Sequence, residues 1–195
     1  ELARKNSATE EYLLEKFVSG ELYSHSAFLK NKRAIKNFFV KEDSTVNSFV
    51  VDTSRVIFSP PPEMQRQIIN AIEKLARYLR LKDGLIHSQF IWDGCNIYLI
   101  DRNRRIAGDL YSQLIELSTG HPYVENYVRP FLDMPYKNIE DSDTRIPIMR
   151  HTVSVSKEQN FKHISFKESL FLESWVALSS ACLLYTSDAA DELRS

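Results

Sequence analysis

The sequence has few cysteines, almost no net charge and no long apolar run, and each shortage excludes a class of protein. Its two cysteines, Cys95 and Cys182, are far apart and lack metal-ligand spacing, which excludes a disulfide scaffold and favours a reducing, cytoplasmic compartment. The 25 basic and 26 acidic side chains nearly cancel, so the bulk charge does not indicate a nucleic-acid partner. No apolar run approaches the roughly 20 residues of a membrane-spanning helix, which argues against a membrane protein. The 195 residues therefore predict a globular chain of one domain or slightly more.

Both ends of the chain look unlike natural termini. The chain begins at Glu1 without methionine, and no signal-peptide pattern follows. At the other end, residues 182–192 resemble the translation of a transposase sequencing adapter, whose DNA encodes the run from Cys182 to Asp191. We therefore expect residues 182–195 to be a non-native tail, and the chain to be a fragment truncated at both ends.

Short strand-like runs separated by amphipathic segments predict an α+β fold with a mostly antiparallel sheet and packed helices. The clearest helix is predicted over residues 64–79, where apolar side chains recur every three or four positions. It ends at 82–84, where glycine is free to adopt a left-handed conformation. Two strands, 85–92 and 96–100, follow it and are joined around the Asp-Gly pair at 93–94. Further strands are predicted over 12–18, 21–29, 34–40, 49–51 and 56–58, further helices over 108–117 and 122–132, and a separate small sheet over 148–155, 161–166 and 174–178.

The segment from Glu15 to Glu21 is the first candidate for chemistry. It is predicted as a strand that stops at Ser19-Gly20, where free backbone N–H and C=O groups can hydrogen-bond a flat heterocycle. An acid beside such an edge can accept an amino or hydroxyl proton. The competing interpretation is an ordinary surface turn, because acidic residues flank many strands.

A second candidate joins Gln89 on one strand to a polar cluster at the end of the next. Asp101, Asn103 and Arg105 lie two residues apart, so in an extended chain they point to the same side. Carboxylate and amide oxygens are the hard ligands that Mg²⁺ prefers, and an arginine can hold an anion or a transferring phosphoryl group. The competing interpretation is an exposed strand end whose charges pair with one another.

The register of the two strands decides whether Gln89 and Asp101 can share a site. A strict two-residue turn at Asp93-Gly94 sets Gln89 opposite Tyr98 and directs Asp101 to the other face. A shared site therefore needs an odd-length loop or a bulge, and we predict the odd loop.

Together the two candidates resemble motifs of the ATP-grasp superfamily, of the carboxylate–amine ligase type. The adenine hinge of that family has the form Glu-x-aromatic-aliphatic-x-Gly-x-Glu, and its metal strand has the form Glu-x-Asn-x-Arg. The metal strand is matched by Asp101, Asn103 and Arg105, and a run over 108–120 is also similar to a branch of the family. The hinge is matched by Glu15, Phe17, Val18, Gly20 and, one position early, Glu21.

The resemblance covers residues 12–132 and implies a role for each matched residue. Glu15 would meet the adenine amino group, and Glu21 the ribose hydroxyls. Asp101 and Asn103 would hold the Mg²⁺ ions that bridge the ATP phosphates, and Arg105 would be catalytic. The remaining members of the implied site are Lys16, Phe17 and Val18 on the nucleotide and Gln89 on the metal, where the family usually has an acid.

The implied reaction is phosphoryl transfer from ATP to a substrate carboxylate, followed by attack of an amine on the acyl phosphate. Its partners would be ATP, Mg²⁺ and small-molecule carboxylate and amine substrates. Residues 1–132 would form a partial ATP-grasp domain, the C-terminal half of the whole, and 133–181 an incomplete β-rich extension. The family places a glycine-rich loop and two ATP-binding lysines before the hinge, so the chain alone is expected to be inactive as a ligase.

Two other functions stay open on the sequence. A nucleotide-binding module that kept the fold but lost catalysis is favoured by Gln89, which lacks the charge of the family acid. A plain α+β interaction domain would leave all the charged residues solvated. His25 and His87 are expected to be ordinary sheet histidines. The ligase hypothesis requires the hinge and the polar strand end to line a common cleft.

Overall fold

A computed structural model of the protein describes residues 2–9, 11–45, 50–108, 110–139 and 144–152. The strands are β1 (Glu21–Lys30), β2 (Arg33–Asp43), β3 (Thr53–Val56), β4 (Gly84–Trp92), β5 (Ile97–Asn103) and β6 (Met149–His151). The helices are α1 (Leu2–Lys5), α2 (Pro62–Tyr78), α3 (Tyr111–Thr119) and α4 (Tyr123–Val128), and a 3₁₀ turn, Arg129–Leu132, follows α4. None of the helices that the structure describes combines the length and the apolarity needed to traverse a bilayer.

All six strands belong to one sheet in the order β5-β4-β1-β2-β3-β6, and every neighbouring pair is antiparallel. The predicted α+β class with a mostly antiparallel sheet is therefore confirmed. The tight β1–β2 turn has positive φ at Asn31 (50°) and Lys32 (64°), which suits the right-handed twist of a two-residue hairpin. β6 pairs with β3 in this same sheet, so the separate small sheet predicted from residue 148 onward is wrong for this strand.

Helix α2 covers one face of the sheet, which we call the α2 face. Its apolar positions recur at helical spacing, and Met64, Ile68, Ile72 and Ala76 are fully buried. They pack against sheet residues that alternate along the strands, as a period of two requires. These residues are Tyr23, Ala27, Phe39, Ile86 and Phe90.

Helices α3 and α4 cover the opposite face, which we call the α3 face. Tyr111 of α3 and Tyr123 of α4 are buried there against Phe28 and Phe38. The rings of Phe28 and Tyr123 meet edge to face with centroids 5.3 Å apart, an arrangement that aromatic side chains favour.

Three local predictions differ from the structure. Residues 12–18 have no regular structure and are mostly exposed, although a strand is predicted there from their apolar side chains. The left-handed residue after α2 is Arg80 (φ 50°), not Gly84, which begins β4 with φ 132°. The strands predicted over 161–166 and 174–178 and the tail over 182–195 lie outside the described residues.

Candidate functional site

A bulge in β5 sets the register of the predicted metal strand. Trp92 pairs with Ile97 across a four-residue loop, and Phe90 pairs with Leu99, but Gln89 pairs with Asp101. The register therefore shifts by one at Gln89/Phe90, where β5 carries one residue more than β4. The predicted odd-length loop is wrong, while the alternative, a bulge, brings Gln89 and Asp101 opposite each other.

The predicted metal residues share the α3 face of the sheet. Gln89 is flanked by Ser24 on β1 and Asp101 on β5. The Ser24 hydroxyl donates a 3.0 Å hydrogen bond to the hydroxyl of Tyr111 on α3, which fixes the face to which this row points. Asn103 follows two residues after Asp101 and is paired with His87.

At the end of β5 the polar side chains bond to one another. The Asn103 side-chain amide donates to a carboxylate oxygen of Asp101 over 3.3 Å, and the backbone N–H of Arg105 donates to the side-chain oxygen Oδ1 of Asn103 over 3.4 Å. Asp101 and Arg105 are exposed and Asn103 is half-buried. A ligand can therefore reach all three from solvent.

Sequence reasoning missed Glu42, which joins this row from β2. The Gln89 amide donates a 2.9 Å hydrogen bond to a Glu42 carboxylate oxygen, although β1 lies between the two strands. Glu42 is only 6% exposed. Strand alternation could have indicated the face of Glu42. Phe38, Val40 and Glu42 alternate along β2, and the first two are core residues of the α3 face.

A buried polar network lies next to this row on the same face. Ser26 contacts the Nδ1 atom of His87 at 2.9 Å and accepts a 2.9 Å hydrogen bond from the Tyr123 hydroxyl. Burial lowers the pKa of His87 to about 4; the nearby Asp101 carboxylate opposes this shift and Arg105 adds to it. Burial also raises the pKa of Tyr111 well above its usual value. His87 and Tyr111 therefore stay neutral near pH 7 and lie next to the predicted metal residues. His25 is also a fully buried strand residue, so both histidines match the expectation.

The hinge segment reaches the sheet at the end that carries Trp92. Glu15, Lys16 and Phe17 are exposed, and Val18 is half-buried. A Cβ atom on Gly20 would lie 2.5 Å from both Ile91 Cγ2 and the Trp92 carbonyl oxygen, so only glycine permits this close approach.

Glu21 points away from the other predicted site residues. Its carboxylate pairs with Lys41 and accepts a 2.8 Å hydrogen bond from the hydroxyl of Tyr23, a core residue of the α2 face. These contacts, led by the Lys41 bond, lower the pKa of Glu21. The structure thus brings Gln89, Asp101 and Asn103 together on the α3 face and holds Glu21 on the other.

A cavity lies at the other end of the sheet, beside the end of β1. It has a volume of about 470 Å³ and is lined by Lys30, Lys82 and Tyr136, among others. None of the predicted site residues contributes to its lining.

The oxygen atoms of the predicted metal residues and of Glu42 are of the chemical kind that Mg²⁺ prefers. Asp101, Glu42, Gln89 and Asn103 offer carboxylate and amide oxygens, which are hard ligands. Within the described ranges, no group of three or more His, Cys, Asp or Glu side chains could hold a metal ion. A cation here would therefore depend on amide oxygens, water and an anionic ligand to complete its coordination, which is how Mg²⁺ is commonly bound with phosphates.

Solved structures with a similar fold include two synthetases and a ligase. Phosphoribosylglycinamide synthetase from Anaerococcus prevotii superposes with a TM-score of 0.62 at 14% identity, over 82% of this chain and 44% of that chain. L-amino acid ligase from Bacillus licheniformis gives a TM-score of 0.59 at 14% identity, over 75% of this chain and 39% of that chain. An ADP complex of N5-carboxyaminoimidazole ribonucleotide synthetase gives 0.51 at 16% identity, over 69% and 34%.

At these identities the likeness shows the fold alone. The chain spans less than half of the length of each of the three structures. No protein-family model and no curated protein matches the sequence.

Proposed function

We propose that the chain is the nucleotide- and magnesium-binding part of an ATP-dependent ligase that joins a carboxylate to an amine. The observation that carries the proposal is the register of β4 and β5 within an ATP-grasp-like sheet. The bulge puts Gln89 and Asp101 opposite each other inside the sheet, and from Asp101 strand β5 runs on to the Asn103–His87 pair, away from the end at Trp92 where the hinge enters β1.

In this proposal Asp101 and Asn103 hold Mg²⁺ and Gln89 contributes its amide oxygen. Bound Mg²⁺ would neutralise charge on the ATP phosphates and orient them for in-line transfer. The hydrogen bond from the Asn103 amide to the Asp101 carboxylate keeps both side chains on one side of the strand. Asp101 is exposed and Asn103 is half-buried, which leaves room for phosphate oxygens and water.

Arg105 is the proposed catalytic residue because its charge is fixed and lies beside the metal ligands. Its guanidinium donates to the Ile106 carbonyl over 3.2 Å, so it is held near the end of β5. A cation there would stabilise the negative charge that spreads over the transferring phosphoryl group.

The hinge residues Glu15, Lys16, Phe17 and Val18 are proposed to bind adenine along their backbone. Their lack of regular structure leaves backbone groups available for an incoming heterocycle. A ribose contact by Glu21 would require its carboxylate to exchange Lys41 for the sugar hydroxyls.

The proposed reaction needs no side-chain nucleophile. A substrate carboxylate oxygen bonds to the γ-phosphorus as the bond to ADP breaks, and the amine nitrogen then attacks the acyl carbon and releases phosphate. The protein contributes positioning and charge neutralisation. Because the chain spans less than half of its structural neighbours, amide synthesis by the 195 residues alone is not expected.

One observation favours a second function, an inactive nucleotide-binding module of the same fold. Gln89 is neutral where the resemblance implies an acid, and its amide is hydrogen-bonded to Glu42. Such a module would bind Mg²⁺ and ATP without forming an acyl phosphate.

Nucleotide titration of the chain, followed by amide NMR, tests the proposal. We expect ATP with Mg²⁺ to shift the amide signals of residues 15–18 and 101–105, and Asp101→Asn to weaken the metal-dependent part by about tenfold. Glu63→Gln, an exposed change on α2, is the control and should match the unchanged chain. Absence of shifts at these positions, or identical titrations with and without Asp101, would overturn the proposal. In a longer protein that contains this sequence together with the remaining ligase parts, trapping of acyl phosphate by hydroxylamine then separates a ligase from an inactive module.

A further inference from the structure

The cavity beside the end of β1 is formed by three segments of the chain, and none of the predicted metal residues lines it. Its volume of about 470 Å³ falls within the usual range of small-molecule sites. One part of its lining is Lys30 at the end of β1, together with Lys82 and Asp83 in the loop before β4. The 3₁₀ turn and the segment after it supply Pro130, Asp133, Met134, Pro135 and Tyr136.

Hydrogen bonds and ring packing hold these segments together around the cavity. The Tyr136 hydroxyl donates to the Leu29 carbonyl oxygen over 2.7 Å, and its ring meets that of Phe28 edge to face with centroids 5.5 Å apart. The backbone N–H of Asn31 donates to an Asp83 carboxylate oxygen over 2.8 Å, which joins the β1–β2 turn to the loop before β4. The cavity is therefore bounded by segments that defined contacts bring together.

The charged groups around the cavity have a positive excess. In the part of the chain that the structure describes, the ammonium groups of Lys30 and Lys82 form no hydrogen bond or ion pair. Arg104 lies behind the loop and donates to the Lys82 and Asp83 carbonyl oxygens over 3.0 and 3.1 Å. Burial lowers the pKa of Arg104, and the Asp83 carboxylate is among the groups that oppose this shift, so the two charges act on each other. The two lysines then face Asp133 as the remaining acid of the lining.

The segment opposite the lysines is largely apolar. Pro130, Met134 and Pro135 line the cavity there, and Phe131 and Leu132, which lie between them in the chain, are exposed. Methionine has a flexible side chain that adapts to apolar groups of different shape. A ligand with an apolar body would remove this surface from water, which stabilises a complex.

We propose that this cavity binds a small organic anion, whose carboxylate or phosphate head lies between Lys30 and Lys82 and whose apolar body lies against Met134. A cation would be repelled by the two free ammonium groups, and an anion without a body would leave the apolar part of the lining in water. The site is a second one on the chain and does not depend on the proposed function.

Titration of the full chain with simple probe anions, followed by amide NMR, tests the proposal. We expect hexanoate to shift the amide signals of residues 30, 82, 134 and 136 and to bind at least about tenfold more tightly than acetate, which has the same head and almost no body. Hexylammonium, with the same body and the opposite charge, should not produce these shifts. Hexyl phosphate in parallel identifies the preferred head, since the tighter of the two six-carbon anions carries it.

Substitutions assign the head and the body of the ligand to their sides of the cavity. Lys30→Gln and Lys82→Gln should each weaken hexanoate binding by about twofold to fivefold, which is the effect of losing a solvent-exposed ion pair. Lys74→Gln, the same change at an exposed position on α2, is the matched control and should have no effect. Met134→Ser should weaken hexanoate binding and leave acetate binding unchanged.

Equal affinities for hexanoate and acetate, binding of hexylammonium at the same residues, or equal effects of Lys82→Gln and Lys74→Gln would each overturn the proposal. Asp101→Asn should leave the hexanoate titration as it is. A weakened titration in that variant would place the anion at the predicted metal residues and overturn the assignment to this cavity. The nucleotide titration judges the proposed function independently of all these results.

Discussion

At the scale of single residues, two close contacts determine much of the site. The Gln89–Glu42 hydrogen bond ties β4 to β2 across β1, and Gly20 lets the hinge approach the end of β4. Neither contact depends on an unusual residue type. Both are consequences of which residues the register makes neighbours.

Gln89→Glu is expected to destabilise the protein by about 1–3 kcal/mol at pH 8. The change replaces a 2.9 Å hydrogen bond by two carboxylates at the same spacing, which cannot both ionise without cost. Protonation at low pH relieves the repulsion, so the loss should shrink toward pH 5. Urea unfolding at both pH values measures it, with the exposed Gln65→Glu as control. An equal loss at both pH values would contradict this explanation.

Gly20→Ala is expected to cost about 1–3 kcal/mol of unfolding free energy, because its Cβ would meet backbone atoms of Trp92. Gly108→Ala is the matched control, since nothing lies within 4 Å of its added Cβ. Urea midpoints of the two variants give the comparison. Equal midpoints would mean that the hinge can move away from β4.

At the scale of elements, periodicity predicts the parts of the fold that bury one face. Helix α2 and strands β1, β2 and β4 were predicted because their apolar residues recur with periods of 3.6 or two. The segment 12–18 was mispredicted because apolar side chains such as Phe17 are exposed here, and a sequence does not show what a segment packs against. The bulge in β5 was foreseen only as an alternative, because register depends on backbone pairing over the whole hairpin.

Arg80→Gly is expected to stabilise the protein by about 0.5–1 kcal/mol. Arg80 follows the end of α2 with φ 50°, a conformation in which a side chain is strained and glycine is not. Arg77→Gly, inside the same helix, should instead destabilise by about 1 kcal/mol. Thermal or urea unfolding of the pair checks the sign. A loss in both variants would show that the Arg80 side chain makes a compensating contact.

At the scale of the whole molecule, three buried histidines link stability to pH. Burial lowers the pKa of His25 to about 3 and those of His87 and His121 to about 4. Their unfolded pKa is near 6.5, so the unfolded chain binds more protons below that pH. Their contribution to stability is complete above about pH 6.5 and is lost as the pH falls toward 4 for His87 and His121 and toward 3 for His25.

We therefore expect the free energy of unfolding to fall between pH 6.5 and 5 by up to about 1.4 kcal/mol per pH unit for each histidine. His121→Gln should flatten this dependence, while the exposed and uncharged change Gln65→Asn should leave the slope unchanged. Urea titrations at half-unit pH steps measure the slopes. A flat profile in the unchanged protein would contradict the burial of neutral histidines.

The fold class was predictable for the whole molecule, whereas the composition of the site was predictable only in part. Gln89, Asp101 and Asn103 share a face because they sit on neighbouring strands, which local pattern and a motif both indicate. Glu42 was missed because its partner is 47 residues away along the chain. Glu21 follows the hinge motif, but strand alternation turns its side chain to the α2 face.

The extra residue at Ile100 has a consequence for insertions and deletions. Gln89 and Asp101 are separated by an even number of positions, and an uninterrupted ladder closed by the four-residue loop cannot pair them. Loss of Ile100 would leave Asp101 next to Leu99 and therefore still opposite Gln89, now in an ordinary ladder. Variants one residue shorter at this point can thus keep their polar strand end in place, and homologues with either spacing should be equally able to retain it.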